Sequence, residues 1–365
     1  MARGPCGQDR GGRKSPFSAK DRAFGDDFDR SAWLGLGSGF GGFEGHRTGM
    51  AAKKIYIWDT YWDSNLVHCF GVNVQAPVTA ALDMSWAMTV RGLPPGAVVL
   101  DLACGNGAAA LAMARTGQTL AITGIDEAAI APAANVPEHA DLLAAMTFRP
   151  RTAMEALPFP DASFDLVASQ FGVEFAVSPQ AALAEAMRDL KPGGRLAVLA
   201  LPHASRAVID ARIALKQARH LLADSALFAN AIAMVRAYHA ATDATAEEVI
   251  RKGLDHFCRE VEKTFAPFHE NEVGVLSAIV FCLYQVFTYR RSTTNAEQLL
   301  AVETARTRLA HYAARAQSVL KAALPDPTLG SLTAALGMLG AKAVEIQPLM
   351  AQNHGLVAVR LAARR

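Results

Sequence analysis

Asp101-Leu102-Ala103-Cys104-Gly105-Asn106-Gly107 leads directly into an Ala-rich helical run, Ala108 to Arg115. Glycines let main chain approach a ligand closely, and a helix N-terminus presents unpaired N–H groups at the positive end of its dipole. A polar or carboxylate-bearing ligand can settle there. The same glycines also suit an ordinary strand-to-helix turn, so the loop alone leaves both readings open. Nineteen positions after Gly107 comes Gly124-Ile125-Asp126. An acid at that place can take two hydrogen bonds from a ribose diol or cap the helix that follows, and the two roles are compatible. The spacing points to a nucleoside lying across the carboxyl ends of parallel strands, where open α/β sheets bind their ligands.

The elements that must position these residues alternate from Gly96 to about Leu201. Strands are expected at Ala97–Ala103, Leu120–Asp126, Met146–Ala153, Phe164–Phe171 and Arg195–Leu201, separated by helical or turn segments. That rhythm means parallel strands with crossover helices. Runs such as VVLDLA and RLAVLAL are apolar without alternation, as strands covered on both faces are. Turn chemistry agrees at Pro94-Pro95-Gly96 and Lys191-Pro192-Gly193-Gly194.

With VVLDLACGNG, TGIDEAAI, ALPFPDASFDLVASQFGVEF and EAMRDLKPGGRLAVLAL in this order, the chain resembles the class I S-adenosylmethionine-dependent methyltransferases, in particular those with a UbiE-like or type 11 domain. A dinucleotide-binding dehydrogenase is disfavoured, because Ala110 stands where the third glycine of the longer fingerprint would be. The resemblance implies a Rossmann-like sheet of order 3-2-1-4-5-7-6, with a large helical cap inserted between strands 5 and 6. It implies S-adenosyl-L-methionine as cofactor, with contacts from Ala103, Cys104, Gly105, Asn106 and Gly107. Asp101 would hold the loop and the amino group, while Asp126, followed by Glu127, would take the ribose. Ala153 and Met154 would lie against the adenine, and Gln170 and Phe171 close to the methyl donor. Two departures bear on the adenine side: Thr152 stands where the family often has Asp, and Pro132 and Pro137 interrupt the helix after strand 2.

Upstream, Ile55 to Asn65 (IYIWDTYWDSN) is similar to the family's N-terminal lid. Its rings either face a sulfonium cation and exclude water or pack a helix onto the sheet, and His68 shares the ambiguity. His203 and Glu174 follow strands 5 and 4 and are the candidates for a general base, if the acceptor keeps its proton until transfer. Both equally suit structural or exposed roles.

Residues 207–324 read as almost wholly helical. Thr245 and Glu248 have capping-box spacing, followed by an apolar face of Ile250, Leu254, Phe257, Cys258 and Val261. Val302, Ala305, Leu309, Tyr312, Ala316 and Val319 repeat at 3,4 spacing, enough for helix pairing within the cap or in a homodimer. VGVLSAIVFCLYQVFTY is apolar on every side and needs burial. Lys342–Leu349 and Leu356–Ala362 read as closing strands.

The domain reading is therefore 1–49 a disordered extension, 50–95 lid helices, 96–203 the cofactor-binding core, 204–324 the cap and substrate region, and 325–365 the last helix and strands 6 and 7. Residues 1–49 hold 12 of the 28 glycines, no Val or Ile and two Leu, too little apolar surface to offset ordering; the alternative reading takes Met50 as the natural start. Lys and Arg number 36 against 34 Asp and Glu, which disfavours nucleic acid as a partner. The five scattered cysteines form no disulfide framework and no metal site. No apolar run is long enough to span a membrane. A cytoplasmic methyltransferase of a small, apolar or aromatic metabolite is expected. The alternatives are a protein or RNA methyltransferase and a non-catalytic cofactor-binding scaffold.

Overall fold

The computed structural model describes residues 57–69, 76–269 and 272–365, apart from the side chains of Asp243 and Ala244. The readings of residues 1–49, Met50, Ile55 and Tyr56 lie outside the described residues.

A seven-stranded sheet has the order β3-β2-β1-β4-β5-β7-β6. Its strands are β1 (Ala97–Leu102), β2 (Leu120–Ile125), β3 (Thr147–Arg149), β4 (Phe164–Gln170), β5 (Leu190–Ala200), β6 (Lys342–Ala351) and β7 (Gly355–Arg364). Strands β1 to β5 pair in parallel, and β7 is antiparallel to both β5 and β6. This is the Rossmann-like class I methyltransferase sheet. Alternation along the central strands divides the core. Val99, Leu166 and Ala168 pack with Leu82 and Trp86 of α1 (Ala76–Val90) and Ala110 and Met113 of α2 (Ala108–Ala114). Leu100, Leu102 and Val167 pack on the other face with Leu183 of α3 (Pro179–Asp189) and Leu332 of the helix Asp326–Met338. Two-sided burial accounts for the unbroken apolar runs.

Two strands differ from expectation. β3 ends at Arg149, because Pro150 has no N–H to continue the ladder and Arg151 turns the chain at φ +57°. β5 begins at Leu190, not Arg195, and carries Lys191 to Gly194 as an irregular entry with a register shift between Phe164 and Leu166. After β2 the prolines break the chain into short helices, Pro132–Asn135 and Ala140–Ala144, with a single 3₁₀ turn at Pro137–His139 between them.

Residues 57–211 and 317–365 belong to the compact unit that contains the sheet, and residues 212–316 to a second, helical one. The helices of this region are α4 (Arg206–Arg219), α5 (Leu227–Ala240), α6 (Asp243–Phe265), α7 (Gly274–Thr288) and α8 (Asn295–Ala322). In the second unit α7 is the centre of its own core: Val275, Leu276, Ile279, Val280, Leu283 and Phe287 are buried there. Its first N–H groups are capped from a distance. Gln217 Oε1 accepts from Val275 N at 3.0 Å and Leu276 N at 3.2 Å, and its Nε2 donates to Glu272 O. The expected capping box at Thr245 and Glu248 is displaced. Helix α6 starts earlier, at Asp243, so Thr245 lies in the first turn and donates to Thr242 O, while Glu248 pairs with Arg251. A reciprocal box forms instead before α8, where Thr294 N donates to Glu297 and Glu297 N to Thr294 Oγ1.

Among the described residues, no single helix is long and apolar enough to cross a membrane. Cys69, Cys104 and Cys282 are free thiols.

Candidate functional site

The loop after β1 is left-handed at alternate residues, with φ of +52° at Ala103, +52° at Gly105 and +84° at Gly107. Side chains are also excluded by neighbours. A Cβ on Gly105 would lie 2.4 Å from the Trp62 ring, and one on Gly107 2.9 Å from Leu143. Gly107 is the N-cap of α2. Asp126, at the tip of the adjacent strand, ties this loop down: Oδ2 accepts from Gly105 N at 2.9 Å and Oδ1 from Ala128 N at 2.8 Å. A carboxylate has about four acceptor positions, so two remain for a ligand. Asp126 lines the pocket, but it does not cap the following helix: that helix begins at Pro132 with Ala131 as its N-cap, and Asp126 bonds instead to the N–H groups of Gly105 and Ala128.

A pocket opens at the carboxyl ends of β1, β2 and β4. Asp101, Ala103 and Cys104 line it from β1 and its loop, Asp126 and Glu127 from β2. Met154, Gln170 and Phe171 complete the set of expected residues on its wall. Gln170 is oriented by Trp86, whose indole N–H donates to its Oε1 at 2.6 Å. Phe171 adopts φ +54° and donates its N–H to Leu199 O, which turns the chain sharply out of β4.

Asp101 is 1% exposed; the Ala110 backbone N–H acts on its carboxylate, but neither oxygen closes a well-formed hydrogen bond. Burial, with the Asp126 charge nearby, pushes its carboxyl up to about 8. Burial also pushes Asp126 up to about 6, against the two backbone N–H groups that favour its charged form. The Cys69 and Cys104 thiols are raised by burial and by neighbouring carboxylates, so neither is an activated nucleophile.

Four expected residues lie elsewhere. Gly105, Asn106, Gly107 and Ala153 are not on the pocket wall; Gly105 is covered by Trp62, and Asn106 is fully buried with its amide turned to residues 62–66. His203 is exposed and donates its backbone N–H to Leu324 O. Glu174 is buried beneath the turn that gives Phe175 and Ala176 to the wall; Oε1 accepts from Leu201 N at 2.8 Å and burial pushes it up to about 7. Neither candidate base lines the pocket.

The aromatic segment both packs and lines: Tyr61 and Trp62 are buried against Cys104, Ala128 and Ile130, and two of the rings also face the pocket. Trp58 and Trp62 line the pocket, stacked at 6.0 Å, and Trp58 meets Phe175 edge-on at 5.4 Å. Asp59 fastens this short helix, residues 57–62, by accepting from Ala129 N at 2.7 Å and pairing with Arg151 at 2.7 Å. Sequence reasoning missed Val67, Cys69, Glu155, Gly172, Phe175 and Ala176, among others, on the wall. Only Gly172 carries a physical signature: a Cβ there would come 2.6 Å from that of Ala103.

Residues 100–198 match the family described as "Methyltransferase domain". That segment, with this sheet order, is a class I S-adenosylmethionine-dependent methyltransferase domain. A ubiquinone/menaquinone biosynthesis C-methyltransferase UbiE of Hydrogenovibrio crunogenus is 37% identical over 116 residues, 31% of this chain and 45% of that protein. A 27-O-demethylrifamycin SV methyltransferase of Amycolatopsis mediterranei is 34% identical over 146 residues, 39% of this chain and 53% of that one. The chain thus spans about half the length of the curated relatives it matches. Among solved structures, the YcgJ protein of Bacillus subtilis aligns at a TM-score of 0.30 and 23% identity, covering 38% of this chain and 58% of that one.

Proposed function

We propose that the protein transfers a methyl group from S-adenosylmethionine to a small, apolar or aromatic molecule. The observation that carries the reading is Asp101: a fully buried carboxyl with no well-formed hydrogen bond, touched only by the Ala110 backbone N–H, on the wall of a pocket at the carboxyl edge of a methyltransferase sheet. A buried polar group left without a partner is costly, and the ammonium of an amino-acid ligand would relieve it. Asp126 retains acceptor positions for a ribose diol, and Met154 and Ala128 offer apolar surface to a purine. The donor set fits the cofactor.

When bound, S-adenosylmethionine supplies an electrophilic methyl on a sulfonium. The chain's own contribution is alignment and exclusion of water. Asp101 would hold the amino-acid end of the donor and Asp126 its ribose; Gln170 is held by Trp86, and Trp58, Phe171 and Phe175 would enclose the reacting region in apolar, cation-tolerant surface. Val67, Cys69, Gly172 and Ala176 add uncharged surface to the wall, while Glu155, whose Oε1 accepts from Val177 N at 2.7 Å, sets one carboxylate beside Ala176. The uncharged surface suits an apolar portion of the acceptor. The relatives named for a quinone pathway and for a rifamycin support an acceptor of this kind.

The test is transfer of labelled methyl to a panel of phenols, quinols and polyketides, with tRNA and denatured protein as competing acceptors. Label in the organic-extractable fraction is expected. Label in macromolecules alone, or none despite donor binding, would overturn the assignment.

A further inference from the structure

The asparagine in the glycine loop contacts the aromatic wall and not the pocket. Asn106 is 0% exposed. Its Nδ2 lies 3.1 Å from Trp62 O, 3.1 Å from Ser64 O and 2.9 Å from Leu66 O, so its two N–H groups are shared among three carbonyls of one segment. Asn135 completes the anchor: its Nδ2 donates to Trp62 O at 2.7 Å and approaches Asn106 Oδ1 at 3.4 Å. The anchored stretch ends the helix that carries Trp58 and Trp62, and continues to Val67 and Cys69, all four on the pocket wall.

A second contact joins the same two parts. The Trp62 ring lies directly on Gly105, leaving no space for a Cβ. The outer fastening at Asp59 and Arg151 is different in kind, because the Arg151 side chain is 51% exposed and an exposed pair contributes little. Segment 57–69 thus has a buried, multiply bonded root in the glycine loop and a solvent-facing catch at its outer end.

We propose that Asn106 is a positioning residue that hangs the aromatic wall from the donor-binding loop, so that wall order and donor retention are coupled through one side chain. This rests on the reading of the pocket as a methyl-donor site. Loop backbone stiffened by a bound donor holds Asn106 in place, and Asn106 holds the carbonyls of Trp62, Ser64 and Leu66. By linkage, donor binding and wall order strengthen each other by the same free energy, so a variant that loosens the wall weakens donor binding, chiefly through faster dissociation.

The test uses the full chain with Asn106→Asp, which removes the donors at constant size, and Asn135→Ala, which weakens the same anchor at a less buried site. Hydrogen exchange is followed in residues 57–69 without ligand, and S-adenosylmethionine dissociation by stopped-flow tryptophan fluorescence. Both variants should speed exchange in 57–69 while exchange in β1 and β4 stays unchanged. Donor dissociation should rise about tenfold in Asn106→Asp, within the ordinary range of coupling, and less in Asn135→Ala. If Asn106→Asp does not fold, Asn135→Ala decides the matter by the same two readouts. Unchanged exchange in 57–69, or faster exchange with unaltered donor dissociation, overturns the coupling while the pocket reading survives. A wild-type protein that binds no donor overturns both.

Discussion

Asp101 and Asp126 sit on neighbouring strand ends and are both shifted by burial, yet they differ in what surrounds the carboxylate. Asp126 accepts from Gly105 N and Ala128 N, whereas Asp101 has only the Ala110 N–H nearby and no well-formed hydrogen bond. An acid whose folded pKa lies above its unfolded value stabilises the fold only while protonated there. For Asp101, moved from 3.8 to about 8, that contribution is present below about pH 4 and is lost as pH rises toward 8. The ligand-free protein should therefore lose stability over that window, and Asp101→Asn should flatten the loss, read as the difference in urea midpoint between pH 5 and pH 8. Donor affinity should show the opposite trend, tightening from pH 6 to 8.5 as the carboxylate ionises opposite an ammonium. Equal slopes in wild type and Asp101→Asn would remove Asp101 from both roles. Residue chemistry was partly legible: an acid at the end of β1 and another at the end of β2 are visible in the sequence. That Asn106 turns away from the pocket was not, since its partners are main-chain carbonyls some forty residues upstream, which no local pattern encodes.

At the scale of the element, helices are fixed where side chains close their ends, and several of those closures are remote. The Thr245–Glu248 spacing matched a capping box, yet the helix begins at Asp243, because local spacing cannot rank two nearby starts in a Thr- and Asp-rich turn. The opposite failure is Gln217, which no pattern near α7 reveals. Its side chain satisfies Val275 N and Leu276 N inside an apolar core. Gln217→Ala should cost about 1–3 kcal/mol, the range for stranding buried backbone donors, measured by urea unfolding followed by far-UV circular dichroism. A change under about 0.5 kcal/mol would mean that the first turn of α7 finds other partners. Strand ends were misread for a similar reason. Pro150 and the Lys191-Pro192-Gly193-Gly194 entry are turn signals in sequence, but only pairing with β2 and β4 decides how far each ladder runs.

For the whole molecule, the strand order was implied by the family resemblance that the four motifs carry together, since alternating strands and helices alone indicate parallel winding but not its order. The extent of the helical region was legible from composition, whereas its division from the sheet unit inside α4 and α8 was not, because both helices run on without a break. All pocket residues belong to the sheet unit. Hydrogen exchange with donor alone should accordingly show protection in 57–69, the loop after β1 and the turn after β4, with residues 212–316 unaltered; protection confined to 212–316 would relocate the site. The central claim is that the pocket at the carboxyl edge of the sheet binds S-adenosylmethionine, and calorimetric titration of wild type and Asp126→Ala tests it most directly. The account predicts saturable one-to-one binding to the wild type, weakened at least about tenfold in the variant, as loss of charge-assisted hydrogen bonds implies. No heat of binding to the wild type, or equal affinity in both proteins, would contradict it.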